Sequence, residues 1–219
     1  MKTDQVQFTA VEQAEIDKIF AKFARKRGYD SAEAVKEKGN TLLHCAAGIG
    51  KIKIVKSLVL AGEDVNVKDK DGATPLHTAA CELYRHDVGQ RVKVVKFLVS
   101  QGADVNAKGL NGMTPLQYAA IFGFRSTNKI ALLLLSAGTD IHIRYENGKD
   151  TLLHRTVRNS SIKDIKLLIS AGANVNAKND NGATPLDIAV GWSRLSDNAE
   201  IIEYLESIGA KSGKRRKAS

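Results

Sequence analysis

His44, His77 and His154 are the residues of this 219-residue chain that first suggest chemistry, because an imidazole can bind a metal or move a proton near neutral pH. A metal site would need further ligands at fixed spacing. Instead each of the three stands in its own copy of a repeated phrase, and His86 and His142 lack cysteine or carboxylate partners at such spacing. Cys45 and Cys81 are the only cysteines; they sit beside alanines and read as reduced packing residues. The chain contains no G-x-x-x-x-G-K-S/T phosphate loop, no G-x-G-x-x-G after a strand and no G-x-S-x-G nucleophile motif. Its carboxylates are scattered, so no acid–base pair can be nominated without a cleft. The expectation is no catalytic residue, no metal and no cofactor.

The elements that carry the three histidines are copies of one another. Asp71-Gly72-Ala73-Thr74-Pro75-Leu76-His77-Thr78-Ala79-Ala80 returns as Asn111-Gly112-Met113-Thr114-Pro115-Leu116-Gln117-Tyr118-Ala119-Ala120 and as Asn181-Gly182-Ala183-Thr184-Pro185-Leu186-Asp187-Ile188-Ala189. Looser copies start at Thr41 and Thr151, with Leu42 and Leu152 in the place of proline. Asp-Gly or Asn-Gly supplies a turn. Threonine suits the N-cap that follows, and proline suits the first helical position, where no N–H is needed. A second helix follows each copy, with apolar pairs such as Ile54-Val55 and Leu58-Val59 on one face and a closing glycine at Gly62, Gly102, Gly138, Gly172 and Gly209. The threonines are 33, 40, 37 and 33 residues apart. The glycine-to-threonine interval stays at 12 or 13, the thirteenth being one extra residue at Lys149-Asp150, so the longer insertions, Cys81–Gln90 among them, lie between paired helices.

This phrase and period resemble the ankyrin repeat, over about residues 12–210. The resemblance implies an all-α solenoid of stacked helix-turn-helix units with protruding β-turn fingers. It divides the chain into an N-terminal segment with a capping half repeat (1–38), five repeats (39–210) and a basic disordered tail (211–219). In the half repeat, residues 12–28 would be a second helix whose first is missing; an independent N-terminal hairpin is the alternative. The motif histidines would then bond turn backbone and tie neighbouring repeats together. An open solenoid lacks the enclosed pocket that catalysis uses.

The function the resemblance implies is protein binding by an adaptor, scaffold or effector, through the concave helix face and the turn fingertips. The family's variable positions transfer to Lys68, Asp69, Lys70, Lys108, Leu110, Arg144, Tyr145, Lys178 and Asp180 on the fingertips. On the helix face they fall at Glu82, Ile121, Phe122, Arg158 and Trp192. Phe122, Tyr145, Arg158 and Trp192 are the expected energetic centre, since aromatics and arginine dominate interfaces. The partner is another protein and the chain is expected to be monomeric.

Charge supplies the alternative. The chain carries +9, of which Lys211, Lys214, Arg215, Arg216 and Lys217 contribute five, leaving +4 for the rest. Lys214, Arg215, Arg216 and Lys217 form a candidate import signal or phosphate patch, so the tail could bind an import factor or nucleic acid. Aromatics make up 5% of the chain and none adjoins that patch, which argues against base stacking. No apolar run reaches the roughly 18 residues of a membrane span, and Met1–Phe8 has no apolar signal core. The expected location is the cytoplasm or nucleus, with a non-conventionally secreted effector as the other possibility.

Overall fold

The computed structural model describes residues 10–81, 88–120, 128–159, 161–191 and 198–213. The described chain is helical: α1 (Ala10–Arg27), α2 (Ala32–Glu37), α3 (Leu42–Gly48), α4 (Ile52–Leu60), α5 (Pro75–Ala80), α6 (Val88–Ser100), α7 (Pro115–Ala120), α8 (Asn128–Ser136), α9 (Leu152–Asn159), α10 (Ile162–Ser170), α11 (Pro185–Gly191) and α12 (Asn198–Ser207). Among the described residues the nearest thing to a strand is one antiparallel bridge between Arg144 and Thr151. The architecture is the all-α repeat stack expected from the sequence.

Each repeat pairs a short inner helix (α3, α5, α7, α9, α11) with a longer outer one. Thr41 and Thr74 hold extended backbone at the N-caps, and Pro75 opens α5. Where Leu42 replaces proline, Thr41 Oγ1 still accepts the His44 N–H at 3.4 Å. The outer helices close at Gly62, Gly102, Gly138, Gly172 and Gly209, all with positive φ. After each, an N–H returns to a carbonyl five residues back, as from Glu63 to Leu58 at 3.1 Å and from Ala173 to Leu168 at 2.9 Å. Helix α1 ends the same way, with Tyr29 donating to Ala24 at 3.0 Å.

Inner helices stack in sequence, α3 on α5, α5 on α7, α7 on α9 and α9 on α11. One core of Leu, Ile, Val and Ala runs from Leu43 to Leu205. A second cluster joins Ile19, Phe20, Phe23 and Ala24 of α1 to Val35, Cys45, Ile49, Cys81 and Tyr118, so α1 covers the first repeat. Helix α2 has no counterpart in the sequence reading; Ser31 caps it by accepting the Ala34 N–H at 3.1 Å. The inserted stretch after Cys81 is partly helical, because Val88–Gln90 begin α6. Arg91, fully buried, donates to the carbonyls of Cys81 (2.6 Å) and Ala79 (3.3 Å) and so caps the end of α5.

Two side-chain ladders tie the repeats. In the first, the Nδ1 of His44, His77 and His154 accepts the backbone N–H of its own cap threonine at 3.2, 3.0 and 3.1 Å. That leaves the ring proton on Nε2. Nε2 donates to the next repeat, at Ala73 O (3.0 Å), Met113 O (3.0 Å) and Ala183 O (2.9 Å). In the second, the amides of Asn66, Asn106 and Asn176 donate to Gly102 O, Gly138 O and Gly209 O. Their oxygens accept the N–H of Asp104, Asp140 and Lys211. Both ladders are interrupted between the third and fourth repeats, where Gln117 replaces histidine and His142 replaces asparagine.

The array ends on a different pairing. Asp187 stands in the histidine position of the last repeat. It accepts from Ser212 Oγ (2.6 Å), Gly213 N (2.8 Å) and Thr184 N (2.8 Å). Partial burial works against its charge, but the bonds from Ser212, Thr184 and Gly213 outweigh it and hold the pKa down at about 2. Lys211–Gly213, expected in the disordered tail, are therefore docked on the array.

The first ladder sets a pH dependence. Burial pushes the His77 imidazole from 6.5 to about 4, against the hydrogen bonds to Met113 and Ala107. Burial also lowers His154. Stability is full above about pH 6.5 and falls as pH drops towards 4, because there the unfolded histidine takes up a proton that the folded one refuses. At about 1.4 kcal/mol per pH unit, His77 alone is worth on the order of 3 kcal/mol. Urea unfolding at about pH 7.5 and about pH 4.5 measures it, and the difference should shrink in His77→Gln; an unchanged difference in that variant would sink the assignment.

Candidate functional site

The fingers are built by one local rule. A backbone N–H bonds the carbonyl just before the cap threonine: Asp69 to Ala73 (2.9 Å), Gly109 to Met113 (2.9 Å) and Asn179 to Ala183 (3.0 Å). In the fourth repeat the finger is one residue longer, and Tyr145 donates to Asp150 O at 2.9 Å. The residue just before each of these donors is basic and exposed: Lys68, Lys108, Arg144 and Lys178. Lys70, Asp180 and Leu110, which is 44% exposed, complete the accessible tips.

Two expected contact residues do other work. Asp69 folds its own finger, its Oδ1 accepting the N–H groups of Asp71 (3.0 Å) and Ala73 (2.8 Å). Asn179 does the same for Asn181 and Ala183. Tyr145 is not a fingertip contact, because it is buried in the core with its hydroxyl 3.5 Å from Gln117 O. Burial pushes that phenol up, with Arg155 opposing. The position differs from joint to joint: His44 and His154 face the short side chains of Asp69 and Asn179. Where His77 projects forward, the facing position is Gly109, and a Cβ there would stand 3.2 Å from the imidazole Nε2. Where Gln117 replaces histidine, the facing position holds Tyr145. Gln117 keeps the cap bond, accepting the Thr114 N–H at 2.9 Å, but its Nε2 makes no hydrogen bond.

Arg158 is half-buried on the exposed side of α9, and its guanidinium is held by a carboxylate absent from the sequence reading. Asp150 is buried, and its Oδ2 lies 3.5 Å from Arg158 Nη2 and 3.3 Å from Arg155 Nε. Its Oδ1 accepts from Asn179 Nδ2 of the next repeat at 2.8 Å. The Arg155 guanidinium also stacks on the Tyr145 ring, 4.6 Å from its centroid. Arg144 donates to Lys149 O (2.9 Å) and Lys178 O (2.7 Å), joining the fourth and fifth fingers. The sequence signal was available: Asp150 replaces the apolar residue found before the cap threonine in Ala73, Met113 and Ala183, with Arg155 following one turn into α9. Glu82, Ile121, Phe122 and Trp192 lie outside the described residues, as do His86 and the patch Lys214, Arg215, Arg216 and Lys217.

The motif histidines are therefore structural, with both ring nitrogens of each engaged. Among the described residues, no three His, Cys, Asp or Glu side chains gather as a metal site. No described helix is long and apolar enough to cross a membrane.

Comparison with known proteins gives consistent matches. The family model described as ankyrin repeats matches in three copies, at residues 8–109, 43–145 and 124–215. Human (Homo sapiens) Rabankyrin-5 is 34% identical over 154 residues, 69% of this chain and 12% of that protein. The chicken (Gallus gallus) nuclear factor NF-kappa-B p105 subunit is 30% identical over 162 residues, 69% of this chain and 15% of that protein. Mouse (Mus musculus) protein phosphatase 1 regulatory subunit 12A is 57% identical over 42 residues, 19% of this chain and 4% of that protein. The chain thus spans 15% or less of the length of each of these relatives.

The Gln117–Tyr145 pairing predicts a coupled pair of substitutions. Gln117→His alone should destabilise by about 1–3 kcal/mol, since the imidazole would meet the Tyr145 side chain. Combining it with Tyr145→Gly should recover about 1 kcal/mol or more relative to additivity. Chemical denaturation of the four proteins measures the coupling, and strict additivity would show that the two positions do not share the space.

Proposed function

Because the chain belongs to the ankyrin-repeat family, a family of protein–protein interaction modules, we propose that it is a non-enzymatic adaptor or scaffold that holds a protein partner on its fingers and inner-helix face. The observation that supports this most is the register of Lys68, Lys108, Arg144 and Lys178. Four successive fingers present a basic residue at one equivalent position, in a frame set by the stacked inner helices and, at every joint but the third-to-fourth, by the two ladders. A surface ordered before binding loses little entropy on association. The partner that suits it carries carboxylates along an extended surface, so that charge complementarity speeds encounter and fixes orientation.

Arg158 and Arg155 extend that surface onto α9. Two guanidiniums share the single carboxylate of Asp150, which orients them and leaves a net positive charge for a partner's acid. Arg144 serves mainly to brace the fingers, so the lysines carry the recognition. The encounter we propose is cytoplasmic or nuclear, a reading supported by the buried thiols of Cys45 and Cys81.

The test is affinity capture from lysate with the full chain, a Lys68→Glu/Lys108→Glu/Lys178→Glu variant, and a chain ending at Gly213. A partner weakened about tenfold or more by the charge reversals, and retained without the tail, is the expected result. Partners lost only on tail removal would place recognition in the tail and overturn the finger assignment.

A further inference from the structure

The opposite side of the stack carries a charge pattern that finger binding does not use. Counting back five and two residues from Leu58, Leu98, Leu134 and Leu168 of the outer helices gives Lys53 and Lys56, Lys93 and Lys96, Lys129 and Leu132, and Lys163 and Lys166. All seven lysines are exposed, and by register they form two rows along α4, α6 and α8, which pack in that order, and on α10. The four helices hold a single carboxylate, Asp164, which is buried and caps α10 through Ser161. Beyond the closing glycines, Asp64, Asp104 and Asp140 are folded into their turns, accepting the N–H of Asn66, Asn106 and His142, and Glu63 is the one exposed acid beside them. Both ion pairs among the described residues belong to Asp150, and neither involves these lysines.

Helix stability does not account for the pattern. Lys53, Lys129 and Lys163 occupy the second position of α4, α8 and α10, where the helix dipole favours carboxylates. In α12 the same register holds Glu200 and Glu203 instead. An ordinary solvated face mixes the two signs.

The apolar residues of this face select among polyanions. Leu60, 76% exposed, continues the line of Lys53 and Lys56, and Leu132, 49% exposed, takes a lysine's place in the second row. Among the described residues of this face the rings are Phe97 and Tyr204, half-buried beneath the ammonium groups of Lys56 and Lys166, at 5.7 and 5.0 Å, and neither stands out to stack on a base. Lysines are diffuse-acting point charges, and exposed leucines among them have a place to go only where the anionic layer overlies hydrocarbon.

We propose that the outer-helix face of repeats one to four is a docking surface for an anionic phospholipid bilayer, with the lysines on headgroups and Leu60 and Leu132 in the interface. Finger and inner-face binding can then continue on the other side.

Co-sedimentation with vesicles of about 30% phosphatidylserine in phosphatidylcholine, against phosphatidylcholine alone, tests it in the full chain. The wild-type chain should bind only the anionic vesicles. Lys93→Gln/Lys96→Gln/Lys163→Gln/Lys166→Gln should lose about tenfold or more in partitioning. Leu60→Ser/Leu132→Ser should lose several-fold while binding of a roughly 30-nucleotide oligothymidine stays unchanged. Circular dichroism confirms that each variant is folded. Undiminished vesicle binding in the lysine variant overturns the proposal. So does complete loss on removing residues 214–219, or vesicle binding indifferent to the leucines while the oligothymidine binds through the same lysines.

Discussion

In three of the fingers the carbonyl before the cap threonine takes one bond within the finger and a second from an imidazole of the preceding repeat, and this constraint organises the molecule. Ala73, Met113 and Ala183 point theirs at an imidazole whose other nitrogen is already committed to a cap threonine. A single repeat therefore leaves its apolar face uncovered and the Nε2–H of its histidine without its acceptor, which is costly for each. The cost is relieved only by stacking, so stability is a property of joints more than of units. The asparagine ladder repeats this logic at the far end of the outer helices, where one amide both donates and accepts across each of the three joints it spans.

The joints are not equal. Between the third and fourth repeats neither ladder is continuous, and Tyr145 and Gln117 fill the space with packing and one long hydrogen bond. The Asp150 cluster and the Arg144 brace then fasten the fourth repeat firmly to the fifth. At the end of the array the next element offers donors instead of an acceptor. Asp187 suits those donors as histidine suits a carbonyl, and Ser212 and Gly213 occupy the place of a further finger.

What could be read from the sequence was what is local. Caps, closing glycines, the paired helices and the histidines as ties between repeats all follow from short phrases with their own physics. What could not be read was decided across a joint. The burial of Tyr145 depends on Gln117 in the previous repeat, and the docking of Lys211–Gly213 depends on Asp187 and Asn176. Asp69 looked like a contact because its position varies, yet its carboxylate is spent on its own turn. Helix α2 is set by Ser31 and by Val35 packing under α1, in a stretch with no repeat phrase to announce it.

The stack depends on motif histidines that are neutral, protonated on Nε2 and bonded across the joints. Nitrogen-15 NMR of the side chains at about pH 6 addresses that state directly, since ring nitrogen shifts distinguish the two tautomers and the imidazolium. The account predicts that His44, His77 and His154 show the Nε2–H tautomer, with Nε2 protons protected from exchange. An imidazolium or an Nδ1–H tautomer at His77 under those conditions would contradict it, because neither can accept the Thr74 N–H and donate to Met113 at once.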